Sequence, residues 1–413
     1  MSQGTRSTTL AGPAHRRRLG ARWCEGAGLV AIALLTAGLF ASGALDIAAA
    51  RAFYDPEPLD HWPLTQRLPW SLLYRAAPWA TATLVVAGLA GLAASFSRTR
   101  ADWRPAAVLV LIGVAVGPGL LANALFKDHW HHPRPRDLIE FGGPLHYVPS
   151  PLIGTEGGAS FPCGHCSVGF MFAAGWWIWR RRRPAWAAAS LAGGLALGAL
   201  LGVGRMAAGA HFLSDIVWSA LLAFGVLHVL WYHVLPAPAA GDAVASGVGR
   251  WRRVSTPLAA VAGASVLLAL FATPHGTTLS ERVPLRAGSP RSLEVVADTA
   301  NVTVVLLDGS DAELAVDGEL HGFGVPGSRL AARVEVLSQP QPALRYRIES
   351  RGWLTDVDGM ATLRVPAAAF ERVSIRLGRG NIRVSDLTRS RVVATGRIRL
   401  ELHTTRGQIQ RSG

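Results

Sequence analysis

Lysine is almost missing from this 413-residue chain. Lys127 is the only one, although lysine and arginine together number 41 and the formal net charge is +14. A chain that writes arginine nearly everywhere else keeps one compact ammonium, a point charge with three rotatable donors. Cysteine is scarce too: Cys24, Cys163 and Cys166 are all there is, which excludes a disulfide framework. Charged residues of either sign make up 16% of the chain, and half of it is hydrophobic. That balance argues against one ordinary soluble globule and leaves room for two or more domains. Excess positive charge invites a nucleic-acid reading. The arginines, however, fall in short blocks between apolar runs, with no recognised reader motif beside them. No nucleic-acid partner is expected. Low lysine with abundant Arg, Ala and Gly suggests a GC-rich bacterium as the source.

What the chain does have is long apolar runs, in lengths that suit a bilayer core. Seven stand out, near residues 27–45, 77–94, 106–126, 166–179, 185–203, 212–232 and 258–272, the fourth and last being short. Arg16, Arg17, Arg18 and Arg22 precede the first; Arg98, Arg100 and Arg104 separate the second and third. Arg180–Arg183 separate the fourth and fifth, and Arg250, Arg252 and Arg253 precede the seventh. All four blocks fall on one side of an up-and-down path, and that side is expected to be cytoplasmic. The first run could also be a cleaved signal peptide, since "AAARA" follows it, without changing the remaining topology.

The path leaves residues 46–76, 127–165, 204–211 and everything after about 273 outside. From Ser292 onward, short alternating runs such as "SLEVVA" and "VSIRL" are separated by Gly, Asp, Asn and Pro, a period-two pattern that predicts an all-β domain. "RGNIRV", "TGRIRL" and "RGQIQ" look like a degenerate repeat, which irregular spacing leaves as weak evidence for a solenoid. The expected organisation is a basic cytoplasmic N-terminus over 1–26, a membrane domain over 27–235, a cytoplasmic linker over 236–256, a seventh span over 257–273 and an extracytoplasmic β-rich domain over 276–413. The fold class is thus an α-helical membrane protein, a six-helix core plus a seventh span, followed by an all-β extracytoplasmic domain.

Three polar clusters sit beside the spans, all on the outer side of that path. "KDHWHHPRP" holds Lys127 and Arg134, "PCGH" holds Cys163, Gly164 and His165, and "GRMAAGAHFLSD" holds Arg205, His211 and Asp215. His211 and Asp215 are four apart at a helix start and so share a face. Asp215 can accept from one ring nitrogen and leave the other as nucleophile. Lys127, Arg134 and Arg205 supply positive charge for phosphoryl oxygens, Gly164 lets backbone approach them, and His165 can act as general acid. His129, His131 and His132 lie close together, but no nearby carboxylate set completes a metal site.

In this order and placement the clusters resemble the motifs of the type 2 phosphatidic acid phosphatase superfamily, K-x6-R-P, P-S-G-H and S-R-x5-H-x3-D. The resemblance covers about residues 27–232. It implies a metal-free reaction through a phosphohistidine, with His211 as nucleophile, Asp215 as its orienter and His165 as acid. Lys127, Arg134, Arg205, Cys163 and Gly164 would hold the substrate phosphate, and no cofactor is implied. Two positions depart from the pattern, Cys163 where serine is usual and Gly204 before Arg205. The β-domain is similar to adhesin-like β-domains of bacterial envelope proteins.

The resulting expectation is a multi-pass protein of the bacterial inner membrane, with its site and β-domain periplasmic. It would hydrolyse a phosphomonoester or pyrophosphate of a lipid, and the β-domain could bind an envelope component or a partner protein. A lipid phosphotransferase with the same site is the alternative within the class. Outside it stand an envelope-binding adhesin with an inactive core, and a membrane thiol oxidoreductase using the C-x-x-C of Cys163 and Cys166. Vanadium haloperoxidases share the motifs but are soluble.

Overall fold

The computed structural model describes residues 13–235 and 273–412, apart from 57–60, 66, 144, 156–157, 286–290, 309–312, 325–326, 338–341, 353, 389–391, 394–396 and 407–408. The expected seventh span and the linker before it lie outside the described residues. Among the described residues five helices are long and apolar enough to cross a membrane: Arg22–Leu39, Trp70–Ala94 (helix α3), Arg104–Phe126, Pro184–Ala207 and Leu213–Val234. They carry the expected first, second, third, fifth and sixth spans, with ends shifted by a few residues.

The first run departs from expectation. Helix α1 (Pro13–Leu39) stops, the chain turns through residues 40–43, and a separate helix α2 (Ala44–Arg51) follows. The turn swings Asp46 inward, where it is fully buried against Ser214. The expected fourth span, 166–179, is not one of the five long helices. It begins two residues earlier, as α6 (Gly164–Met171), passes through a 3-10 turn (Phe172–Ala174) and ends as α7 (Gly175–Trp179). At 1.5 Å per residue the whole stretch reaches only about 24 Å. Every residue of α6 is buried, and at the break Ala173 and Ala174 are buried while Phe172 is half-buried. At the break Ser190 donates its hydroxyl to the Phe172 carbonyl at 2.5 Å.

Small residues set how closely this broken helix sits on its neighbour, α8 (Pro184–Ala207). A Cβ placed on Gly169 would lie 2.6 Å from the Gly198 Cα, and one on Gly194 would lie 2.5 Å from the Ala173 nitrogen. The two backbones touch, as small-residue interfaces in membranes allow. On the arginine-rich side, Arg180 bonds both the Glu25 carboxylate and the Tyr232 hydroxyl, tying α1 to the last turns that follow α9 (Leu213–Val229).

The third span is continuous but changes pitch. Helix α4 (Arg104–Val114) runs into a π-helical stretch (Ala115–Phe126) and closes with one α-turn, α5 (Lys127–His129). Asn123 donates to the Pro118 carbonyl at 2.9 Å within that stretch. Wide turns of this kind often mark functional places in a helix.

The C-terminal unit is all β, as expected. Its strands are β1 (Thr273–Pro284), β2 (Ser292–Thr299), β3 (Asn301–Leu307), β4 (Glu313–Gly324), β5 (Arg329–Leu337) and β6 (Ala343–Arg351), followed by β7 (Leu354–Pro366), β8 (Arg372–Arg379), β9 (Ile382–Asp386), β10 (Arg399–Arg406) and β11 (Ile409–Ser412). One sheet runs β1-β4-β7-β3-β9-β11 and the other β10-β8-β2-β6-β5. Strands that follow one another across a corner, such as β2 and β3 or β8 and β9, sit in opposite sheets and stack in parallel on the next such pair. Inward residues including Val295, Val304, Leu363 and Ile375 are fully buried between the sheets.

The repeat read in the sequence has a structural meaning at "RGNIRV". Gly380 turns the corner between β8 and β9 at φ +128°, and a Cβ there would lie 1.9 Å from the Ala300 oxygen of the corner beneath. Asn381 accepts from the Val302 nitrogen at 2.9 Å and donates its own N–H to Asn301 Oδ1 at 2.9 Å. "TGRIRL" instead leads into β10. The same corner meets the helical part: Asn381 Nδ2 lies 3.4 Å from Asp137 Oδ1, on the face that carries residues 127–165.

Close backbone approach makes a definite demand. Gly169→Ala is expected to destabilise the detergent-solubilised protein by about 1–3 kcal/mol through overpacking, read as a fall in thermal unfolding midpoint. Gly193→Ala, where an added methyl meets nothing within 4 Å, should leave the midpoint in place.

Candidate active site

Each of the eight singled-out residues sits at a helix end or in the loop beside one. Lys127 opens α5, Arg134 lies in extended chain beyond it, and Cys163 is the residue before α6, whose first two positions are Gly164 and His165. Arg205 occupies the last turn of α8, His211 the chain just before α9, and Asp215 the first turn of α9. The backbone ties these segments together: Arg136 N–H donates to the Gly209 carbonyl at 3.0 Å, and Ala210 N–H to the Arg205 carbonyl at 3.0 Å. Ser219 donates to the Cys163 carbonyl at 3.0 Å, joining α9 to the start of α6.

The side chains are drawn inside. Lys127, Arg134, His165, Arg205, His211 and Asp215 are all buried, His211 at 1% exposure. So many ionisable groups in one apolar bundle are costly unless they serve each other or a ligand. His211 stands at the centre. Burial, then the charges of Arg205, Lys127, Arg134 and His165, hold its pKa well below the ordinary imidazole value. Its Nδ1 lies 3.6 Å from Asp215 Oδ2, and its Nε2 is buried with no hydrogen-bond partner among the described residues. A neutral ring therefore presents one unsatisfied nitrogen among cations.

Asp215 is held from several sides. Its Oδ2 accepts the Phe212 N–H at 2.8 Å and the Ser160 hydroxyl at 2.5 Å. Ser160 was not among the sequence candidates, and nothing in its local pattern singles it out. A second buried carboxylate lies behind the site. Asp46 accepts the Ser214 N–H at 2.8 Å, the Ser214 hydroxyl at 2.6 Å and the Tyr147 hydroxyl at 2.7 Å. Burial raises its pKa, against the lowering effect of those bonds. An acid at the edge of an apolar run was the signal that could have found it. Asn123 is a further addition: a Cβ on Gly164 would lie 2.4 Å from its Oδ1, so any larger residue there would require the Asn123 amide to shift.

At the second motif the two cysteines are paired. Cys163 and Cys166 form a disulfide, with Cα atoms 5.4 Å apart and both residues fully buried. Cys163 Sγ accepts the Cys166 N–H at 3.3 Å in the place of a helix cap. The side chain thus has no S–H to donate, which differs from the free thiol expected beside the phosphate. Thiol exchange requires a thiolate to reach a sulfur, and full burial of the pair counts against the oxidoreductase reading. The three histidines after Asp128 do not converge: His129 Nδ1 is 2.8 Å from the Leu125 carbonyl, and His132 Nε2 is 2.6 Å from that of Val148.

Comparison with known proteins coincides with this region. Residues 102–237 match the PAP2 superfamily model. The matched segment takes in α4 through the end of α9 and all eight residues singled out in the sequence. The chain is 34% identical over 138 residues to a lipid A 4′-phosphatase of Francisella tularensis subsp. novicida, covering 32% of this chain and 60% of that protein. It is 35% identical over 143 residues to a lipid A 4′-phosphatase of Rhizobium leguminosarum, covering 33% and 58%. The chain therefore spans about three fifths of these relatives. A solved PAP2-type phosphatidylglycerolphosphate phosphatase of Bacillus subtilis aligns with 49% of this chain and 92% of its own, at 18% identity and a TM-score of 0.31.

Asp46 gives this site its most exposed dependence. Asp46→Ala would strand the Ser214 and Tyr147 donors, each at about 1–3 kcal/mol. A clear drop in thermal unfolding midpoint is expected, with Asp46→Asn falling less.

Proposed function

We propose that this protein is a membrane lipid phosphatase that works through a phosphohistidine on His211. The observation that carries the reading is the His211 Nε2, buried without a protein partner and surrounded by Lys127, Arg134, Arg205 and His165. Three cationic side chains suit the oxygens of a phosphoryl group, and a neutral imidazole suits attack on its phosphorus.

The steps follow from the atoms. His211 Nε2 forms a bond to phosphorus as the bond from phosphorus to the lipid oxygen breaks, and His165 gives that oxygen its proton. The His211 ring becomes cationic, and Asp215 beside Nδ1 offsets the charge. Water then attacks the phosphohistidine, giving up a proton to His165 and releasing inorganic phosphate. The first turn of α6 lends backbone N–H groups to the phosphate.

Lipid A phosphate is the first substrate to test, on the likeness to the two lipid A 4′-phosphatases. Phosphatidic acid, phosphatidylglycerophosphate and undecaprenyl pyrophosphate are the remaining candidates. The arginine blocks support an orientation with the site on the periplasmic face of the inner membrane. The domain boundaries 27–235 and 276–413 stay part of this reading.

Phosphate release from a panel of these lipids by detergent-purified protein tests it. Turnover is expected to survive EDTA and to vanish in His211→Ala. The sign of the pH dependence follows from His211: a nucleophile with a lowered pKa stays unprotonated well below pH ~6.5. Its acid limb in kcat/KM should therefore lie below that value. Release that needs added metal, or that persists in His211→Ala, would overturn the mechanism.

A further inference from the structure

Asp215 faces a second histidine. His132 is fully buried, and its Nδ1 lies 3.6 Å from Asp215 Oδ1, the oxygen that His211 and Ser160 do not use. Neither atom has a hydrogen-bond partner among the described residues. The ring is firmly placed: Tyr147, Phe161 and Phe212 surround it with centroids 6.3, 6.1 and 5.7 Å away, and its backbone carbonyl accepts the Ser160 N–H at 3.0 Å.

The far side of the ring decides its protonation. Nε2 sits 2.6 Å from the Val148 carbonyl, and a carbonyl only accepts, so Nε2 carries a hydrogen. A neutral His132 then points a lone pair from Nδ1 at Asp215, and an ionised Asp215 points one back. Two buried acceptors facing each other leave both unsatisfied. One proton satisfies the two together. The present separation is longer than a formed hydrogen bond and too short for a water to bridge, so a small rotation closes it. Catalytic bonds are commonly loose before substrate binds.

We propose that His132 is a positioning residue of this site, holding one proton jointly with Asp215 between Nδ1 and Oδ1. The proposal rests on the phosphatase reading for its consequence and on the geometry alone for the proton. The groups around the pair are Asp46 from α2, Tyr147 from the loop, Arg134 beside Asp215, and His211 with Ser160 on the other oxygen. Burial, offset in part by the Val148 bond and the Asp46 charge, holds the imidazole down at about 4. Near neutral pH the second proton therefore stays in place only because the carboxylate shares it. When His211 takes the phosphoryl group and its ring turns cationic, that proton shifts from Oδ1 toward Nδ1. Asp215 gains negative charge beside His211 as it is needed, and no proton leaves the site.

Full-length protein carrying 15N-labelled histidine, in detergent near pH 7, supplies the first readout. The imidazole signal absent from His132→Gln should show Nε2 protonated and Nδ1 in the shared-proton range. A bare lone-pair shift at Nδ1 overturns the proposal. The second readout is lipid phosphate release by His132→Gln and His132→Ala. A fall in kcat of about tenfold or more, as outer partners of functional histidines give, is expected with little change in KM. The alkaline limb of kcat should move as well. Unchanged kcat and unchanged limbs in folded variants overturn the positioning role. Gln fills much of the same space and carries the kinetics if Ala fails to fold. Wild-type protein that releases no phosphate would defeat the phosphatase reading instead, and the imidazole signal still decides the proton.

Discussion

A carboxylate buried at the start of a helix organises this site. Asp215 accepts the Phe212 N–H at the start of α9, takes the Ser160 hydroxyl and lies beside His211 and His132. In an apolar bundle such a group is tolerated only when its surroundings answer it. Ser160 comes from the chain before α6, His132 from the loop after α5, and His211 from the turn between α8 and α9. Satisfying one residue therefore requires three separate segments to converge, and that convergence is the geometry a phosphoryl group would meet.

The rest of the membrane part makes the convergence possible. Contact between the backbones at Gly169 and Gly198 lets α6 lie against α8, and His165 and Arg205 from these two helices both bear on His211. Asp46 then fastens the short helix α2 to the start of α9 through Ser214. At the opposite end Arg180 ties Glu25 to Tyr232, using the first member of an arginine block as a joint as well as a topology signal. The stacked corners of the β-domain meet the helical part at Asn381 and Asp137, three residues beyond Arg134.

Much of the candidate site was legible because its elements are local. Lys127 to Arg134, Cys163 to His165 and Arg205 to Asp215 are short spacings at helix ends, and apolar runs reveal helix ends well. The supporting residues were not legible. Asp46 and Ser214 are 168 positions apart, and Ser160 and Asp215 are 55 apart. No spacing rule joins a lone serine to a carboxylate at such distances. His132 looked like part of a histidine cluster because three histidines are neighbours in the chain. The backbone instead turns sharply there, with His131 at φ +50°, and separates their rings.

The sequence by itself determined the apolar helices, the side on which the arginines gather, the alternating strands and the residue types at each helix mouth. These follow from periodicity and charge, which act over a few residues. It also left open whether Cys163 is a thiol or a disulfide, and the fourth apolar run read as a short span. Tertiary structure decided both, closing the disulfide in a buried turn and breaking the run where α8 packs on it. It alone placed Ser160 and His132 on Asp215. Burial is the physical reason: what a polar group must bond once water is gone depends on which segments enclose it.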